Sequence, residues 1–394
     1  MSNDPIVIIG AARTPMGGFQ GVLSPLTAPE LGAGAIHAAV ERSGVTAEDV
    51  DEVLMGCVLP AGQGQAPARQ ASLGAGIPLG TGCTTVNKMC GSGMKAAMLA
   101  HDLLLAGSAR LMVAGGMESM SNAPYLLERA RQGYRLGHGR IVDSMFLDGL
   151  EDAYEKGRLM GTYAEDCAEH FGFTREQQDA FAIASLSRAG TAIEDGTFGH
   201  EVVPVEVITR KGESTVEHDE QPLNANLDKI PQLKPAFRKG GTVTPANSSS
   251  ISDGAAALVM MRRSEAEKRG LAPLAVVRGH TTFAQKPSLF TTAPIGALRA
   301  LFEKLNWDPA GVDLFEINEA FAVVTMAAMK ELRLPHDKVN VHGGACALGH
   351  PIGASGARIM VTLLAALEKY DLRRGIASLC IGGGEATAIG LERI

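Results

Sequence analysis

The same order of segments occurs twice in this chain, once toward each end, and that repetition limits the possible folds more than any single stretch. Asp51-Glu-Val-Leu-Met-Gly56 matches Asp313-Leu-Phe-Glu-Ile-Asn318 in pattern, at an offset of 262 residues. Ser92-Gly93 opens an Ala/Leu/Met-rich stretch that reads as a helix to Ala106; Ser355-Gly356 opens its counterpart at an offset of 263. Leu111-Met-Val-Ala-Gly-Gly116 matches Ser378-Leu-Cys-Ile-Gly-Gly383 at 267. Each unit reads strand, helix, strand-Gly-Gly. Gly pairs alone recur by chance in a Gly-rich chain, but a shared order at nearly constant offset points to duplication. A duplicated α/β chain usually places its site between the halves.

Other segments agree with this reading. Pro5-Ile-Val-Ile-Ile9 is a short apolar, β-branched run ending at Gly10, as suits a buried strand. Leu31 to Ser43 has helical spacing. Further buried-type strands are expected at 53–55, 111–114, 274–277, 314–317, 377–381 and 386–391. Strands alternating with helices imply an α/β layer structure. From 121 to 249 the alternation fails. Arg175 to Ile193 reads there as an amphipathic helix with Thr174 as N-cap, and Lys211-Gly212-Glu213 as a hairpin turn. The expected organisation is a first half over 1–120 completed by about 250–272, an inserted domain over 121–249, and a second half over 273–394.

Composition removes several classes. With 45% hydrophobic and 20% charged residues the chain is not disordered, and its 47 glycines follow no triplet period. A net charge of −7 without a basic block argues against nucleic-acid binding. No apolar stretch of 18 residues suggests a membrane span, and the N-terminus has neither a secretory nor a mitochondrial pattern. The six scattered cysteines include no Cys-x-x-Cys pair, so zinc is poorly supported. Reduced thiols in a cytoplasm are the simplest expectation.

Four local patterns carry chemistry. Cys90 stands before Gly91-Ser-Gly93 and a helix start, where the helix dipole is expected to lower a thiol pKa. His350 stands before another glycine-rich helix start, Pro351-Ile-Gly-Ala-Ser-Gly356, which suits anions and oxyanions. Cys380 ends a buried strand before Gly382-Gly-Gly384, at the sheet edge where α/β sites form. Asn318, after another strand, could hold a water or polarise a carbonyl, or simply cap a helix. Each alone is weak: an isolated cysteine or histidine is more often a packing residue.

Together the motifs resemble the thiolase family over essentially the whole chain. The resemblance rests on Val86-Asn-Lys-Met-Cys90-Gly-Ser-Gly, Gly115-Gly-Met-Glu-Ser-Met120, Gly241-Thr-Val-Thr244 running to Asp253-Gly-Ala-Ala-Ala257, Asn318-Glu-Ala-Phe321, Gly343 to Arg358, and Cys380-Ile-Gly-Gly-Gly384. It implies duplicated α/β/α domains in five layers with an inserted loop domain that binds coenzyme A. It also implies an acyltransferase of the acetyl-CoA acetyltransferase type, in fatty acid metabolism, joining two acetyl-CoA into acetoacetyl-CoA and CoA by reversible Claisen condensation. Cys90 would be the nucleophile, His350 its base and Cys380 the acid/base at the substrate α-carbon. Asn318, through a water, and His350 would form one oxyanion hole, and the N–H groups of Cys90 and Gly382 the second. Ser249 would contact the pantetheine, Leu150 and Met160 would line the acyl end, and Ala320 and Phe321 would also bind the substrate or its CoA. Coenzyme A is then substrate and product, with no metal and no permanently bound cofactor. A cytoplasmic homo-oligomer, dimer or homotetramer, is expected, with no nucleic-acid or membrane partner.

The chain departs from family patterns at Leu159, Leu223, Asn247-Ser-Ser-Ser250 and Ser288 to Pro294, which includes Phe290. These bear on acyl specificity and CoA contacts, so a broader or longer-chain 3-ketoacyl-CoA thiolase is the main rival. A decarboxylating ketosynthase would use a second histidine where Cys380 stands. A non-catalytic CoA- or lipid-binding relative is disfavoured by the four reactive residue types. A nucleotide-binding dehydrogenase is disfavoured because Gly10-Ala-Ala-Arg13 lacks Gly-x-Gly-x-x-Gly.

Overall fold

The computed structural model describes residues 4–210 and 212–394. The first half runs β1 (Ile6–Arg13), α1 (Ala28–Ser43), β2 (Glu52–Gly56), α2 (Pro67–Gly74), β3 (Gly82–Val86), α3 (Ser92–Ala106) and β4 (Leu111–Ser119). A long stretch carrying α4 (Met160–Phe171) and α5 (Arg175–Glu194) precedes β5 (Ser252–Arg262). The second half runs β6 (Ala275–Ala284), α6 (Ala293–Leu305), β7 (Leu314–Ile317), α7 (Ala322–Leu332), α8 (Ile352–Lys369), β8 (Arg374–Ile381) and β9 (Glu385–Arg393).

The strand pairing repeats with the sequence. In the first half β3, β2 and β4 are parallel neighbours, followed by antiparallel β5 and β1. In the second half a parallel bridge at Val339, β7 and β8 are followed by antiparallel β9 and β6. The halves join where β1 meets β6, Val7 opposite Val276 and Ile8 opposite Ala275. Asp51 and Asp313, paired by sequence offset, also do the same job. Each carboxylate accepts from two backbone N–H groups at the start of the neighbouring parallel strand, Arg110 and Leu111 in one half, Arg373 and Arg374 in the other.

Both sheet faces are buried, which explains the unbroken apolar runs. Along β1, Ile6 and Ile8 enter a central core with Met94 and Leu104 of α3 and Met360 and Leu363 of α8. Val7 and Ile9 enter an outer core with Leu31 and Ile36 of α1. On the far side, Ile317 of β7 and Ile376 of β8 pack on Leu298 of α6 and Val324 of α7. The result is five layers: α1 and α2, the first-half strands, α3 and α8, the second-half strands, α6 and α7.

Three element boundaries differ from expectation. β1 continues through Gly10 to Arg13, with a register shift between Ile8 and Gly10. β4 does not stop at Gly115-Gly116 but runs to Ser119, held by antiparallel β5. A Cβ on Gly116 would stand 2.1 Å from Gly353 O, so glycine serves close helix-to-sheet contact there and not a turn. α8 starts at Ile352, three residues before Ser355, because Pro351 is its N-cap and the Glu118 carboxylate accepts from Gly353 N at 2.9 Å. The matched helix starts are therefore Ser92-Gly93 and Ile352-Gly353.

Within the inserted stretch, α5 begins as expected. Thr174 Oγ1 accepts from Gln177 N, and the Gln177 side chain returns a bond to the Thr174 backbone. Val205–Thr209 and Gly212–Val216 pair as an antiparallel hairpin. Lys211, part of the expected turn, lies outside the described residues, as do Met1 to Asn3. The stretch docks through charge: buried Arg13 donates to Glu201 at 2.5 Å and bidentately to Asp219 at 2.7 and 2.9 Å. No helix among the described residues is long and apolar enough to cross a membrane.

Candidate functional site

Cys90 and His350 occupy the same place relative to two related helices. Cys90 precedes Gly91, the N-cap of α3, and His350 precedes Pro351, the N-cap of α8. The backbone before the thiol is strained: Met89 has φ +47°, in the left-handed region that residues other than glycine rarely adopt. Ser92 Oγ stabilises this turn, accepting from Lys88 N at 2.8 Å and donating to Met89 O at 2.6 Å. The Lys88 ammonium also donates to the Glu385 carboxylate, tying the nucleophile turn to the strand after Gly384.

His350 is buried, and its two nitrogens differ. Nδ1 lies 2.5 Å from Ser355 Oγ, whose own proton goes to Pro351 O at 3.0 Å. A neutral ring protonated on Nδ1 then keeps the Nε2 lone pair, and Nε2 has no partner within the protein. Burial first, then the Arg358 charge, pushes this imidazole down to about 3, so it is neutral near pH 7. Asn318 lies behind it, its amide 3.5 Å from Nδ1 and its Oδ1 buried without a partner. It caps no helix, since Phe321 is the N-cap of α7. Its amide can hold a water beside the ring.

Burial pushes the Cys90 thiol up to about 11, while the N–H groups of Gly382 and of Cys90 itself, donating to the sulfur, pull the other way. The lowered pKa expected from the helix dipole is thus overridden by desolvation: the resting group is a thiol. Burial, then the neighbouring Cys90 sulfur, also holds Cys380 well above the ordinary thiol range. Gly382 differs from the glycines beside it. Gly383 and Gly384 have φ +94° and +89°, whereas a Cβ on Gly382 would meet nothing closer than 3.9 Å. The turn requires glycine at 383 and 384; at 382 its absence of a side chain leaves room in the cavity.

That cavity, of about 490 Å³, is lined by Cys90, His350, Cys380 and Gly382, and also by Ser249, Leu150, Met160, Ala320 and Phe321. Of the catalytic and binding residues expected from the sequence, Asn318 alone does not line it. Ser249 is fixed by its hydroxyl and its N–H, which both donate to Ala320 O, at 2.9 and 3.0 Å. Phe146, Phe237 and Ile352 line the apolar side together with two departures from family pattern, Leu159 and Phe290. Leu223 is 60% exposed and outside the lining.

Sequence reasoning missed Ser355 as the partner of His350, although a hydroxyl at the first turn of the following helix was a usable signal. It also passed over Glu118. This buried carboxyl accepts from Val58, Leu59 and Gly353 N–H groups, fixing the start of α8, and burial pushes it up to about 7.

Comparison with known proteins agrees over the full length. The family model described as "Thiolase, N-terminal domain" matches residues 6–264, and "Thiolase, C-terminal domain" matches 271–393. An acetyl-CoA acetyltransferase of Cupriavidus necator is 47% identical over 390 residues, covering 98% of this chain and 99% of its own. Acetyl-CoA acetyltransferase 2 of Arabidopsis thaliana is 50% identical, covering 98% and 96%. The crystal structure of an Ascaris suum thiolase in complex with coenzyme A superposes with TM-score 0.93 at 41% identity, covering 99% of this chain and all of that one.

Proposed function

The chain belongs to the thiolase family, and we propose that it is an acyltransferase that condenses two acetyl-CoA reversibly through an acyl group carried on Cys90. One observation carries the reading: a single apolar cavity is lined by two thiols, a neutral imidazole with a free Nε2, and backbone N–H groups that converge on one sulfur.

Cys90 Sγ attacks the thioester carbonyl of the first acetyl-CoA while His350 Nε2 takes the thiol proton. The adduct oxygen is held by the Cys90 and Gly382 N–H groups. It collapses to acetyl-Cys90, and the CoA thiolate leaves with the proton of Cys380. Cys380, now a thiolate, removes an α-proton from the second acetyl-CoA. The resulting enolate oxygen is held by His350 and a water on Asn318. Its carbon attacks acetyl-Cys90, and collapse releases acetoacetyl-CoA and expels the Cys90 thiolate, which takes back the proton held on His350 Nε2. Thiolysis is the reverse.

Coenzyme A as substrate and product is supported by the CoA-bound Ascaris relative. The inserted stretch 121–249 supplies Leu150, Met160 and Ser249 to the cavity, which supports its reading as the part that grips the CoA carrier. The name acetyl-CoA acetyltransferase that its relatives carry supports reading acetoacetyl-CoA, over longer substrates, as the substrate of this chain. A homo-oligomer is supported by β3, an edge strand with exposed residues, and a cytoplasmic setting by six free thiols. The test is thiolysis of acetoacetyl-CoA against longer 3-ketoacyl-CoAs. Turnover of acetoacetyl-CoA is expected, and activity on long substrates alone contradicts it.

A further inference from the structure

We infer that His101, Asp102 and His280 form a binding site for one divalent transition-metal ion at the seam between the two halves. His101 and Asp102 are consecutive residues of α3, and His280 lies in the middle of β6, the first strand of the second half. His101 Nδ1 and His280 Nε2 each stand 3.0 Å from the same atom, Asp102 Oδ1. The rings meet edge to face with centroids 5.0 Å apart. One ligand atom from each residue lies within 4.8 Å of the others, and among the described residues this is the one group of three or more His, Cys, Asp or Glu that does so.

The donor set is what a transition metal selects. Two imidazole nitrogens and one carboxylate oxygen suit zinc, nickel or copper, and are poor ligands for magnesium or calcium, which favour all-oxygen sites. Lys304 is the neighbouring cation; its ammonium is anchored to His280 O at 2.8 Å. Without an ion, one carboxylate oxygen serves two rings. An ion between the three donors replaces both contacts. The Asp102 side chain is 54% exposed, which opens the group to solvent, so water can complete the coordination.

None of the three residues lines the cavity of Cys90 and His350. The ion therefore takes no part in acyl transfer. It staples a central helix of the first half to a strand of the second, and it stabilises the fold by binding the folded state alone.

The test uses the full-length protein dialysed against chelator and titrated with Co²⁺ and Zn²⁺. One Co²⁺ per chain is expected, with visible ligand-field bands and no thiolate-to-cobalt charge transfer, and Zn²⁺ is expected to raise the melting temperature. Asp102→Asn and His280→Gln, each removing a ligand, are expected to weaken binding by at least about tenfold and to abolish the rise in melting temperature, with acyl-transfer rate unchanged. Circular dichroism of both variants verifies folding, and Asp102→Asn keeps the side-chain shape. Absence of binding, charge-transfer bands from cysteine ligation, or binding that survives both substitutions as an adventitious ion would overturn the inference.

Discussion

At the residue scale, reactivity depends on groups held neutral until substrate arrives. Cys90 rests as a thiol with its pKa pushed up to about 11, beside an imidazole pushed down to about 3. No thiolate–imidazolium pair forms at rest, so alkylation of Cys90 in the free enzyme should rise steadily from pH ~7 to above ~9, past the ordinary thiol value. A plateau near neutral pH would contradict this protonation state. Gly382→Ala should fold normally, since no protein atom lies within 3.9 Å of the added Cβ, yet lose activity by intrusion into the cavity. Unfolding midpoints and kcat, measured together, check both halves of that statement. Cys90, His350, Cys380 and Asn318 were legible in sequence because each stands in a long, specific motif. Ser355 and Glu118 were not read as partners, because their bonds to His350 Nδ1 and Gly353 N exist only once α8 is packed.

At the element scale, close backbone contact decides what each glycine does. Gly116→Ala would press a Cβ to 2.1 Å from Gly353 O, so a loss of roughly 1–3 kcal/mol or more is expected in denaturant unfolding. Gly34→Ala in α1 meets nothing within 4 Å and should stabilise by about 0.5–1 kcal/mol. The same contrast explains which boundaries were misread. Gly-Gly reads as a strand end both at 115–116 and at 382–383. The first pair lies inside β4 because α8 packs on it, and the second follows the end of β8 at a turn with positive φ at Gly383. Local sequence does not distinguish a glycine demanded by a neighbour from one demanded by φ. The Lys88–Glu385 pair is half-exposed, so Glu385→Gln should change stability by less than about 1 kcal/mol. Because it joins the two turns that supply the Cys90 and Gly382 N–H groups, kcat should nonetheless fall, by roughly tenfold or more. An unchanged kcat would make the pair a surface contact only.

At the scale of the whole molecule, duplication accounts for the site. Each half presents a reactive residue just before a central helix, and the two helices pack against each other, which brings Cys90 and His350 into one cavity. The repeat was legible because Asp51 and Asp313 anchor equivalent strands; the packing of the insert was not, because it rests on Arg13 reaching Glu201 and Asp219 across about two hundred residues. Burial holds His342 down at about 4, as it holds His350 at about 3. Above pH ~6.5 neither state of the chain binds these protons; below it the unfolded chain does and the folded one does not. Stability should therefore fall as pH drops from ~6.5 toward the folded values, and a melting temperature flat over that window would contradict the assignment. Incubation with acetyl-CoA followed by peptide mass mapping tests most directly whether the acyl group is carried on Cys90. One acetyl group is expected on the Cys90 peptide, removed by added CoA, and retained without condensation in Cys380→Ser. Acetylation at another residue, or acetoacetyl-CoA formation by Cys90→Ala, would contradict the mechanism.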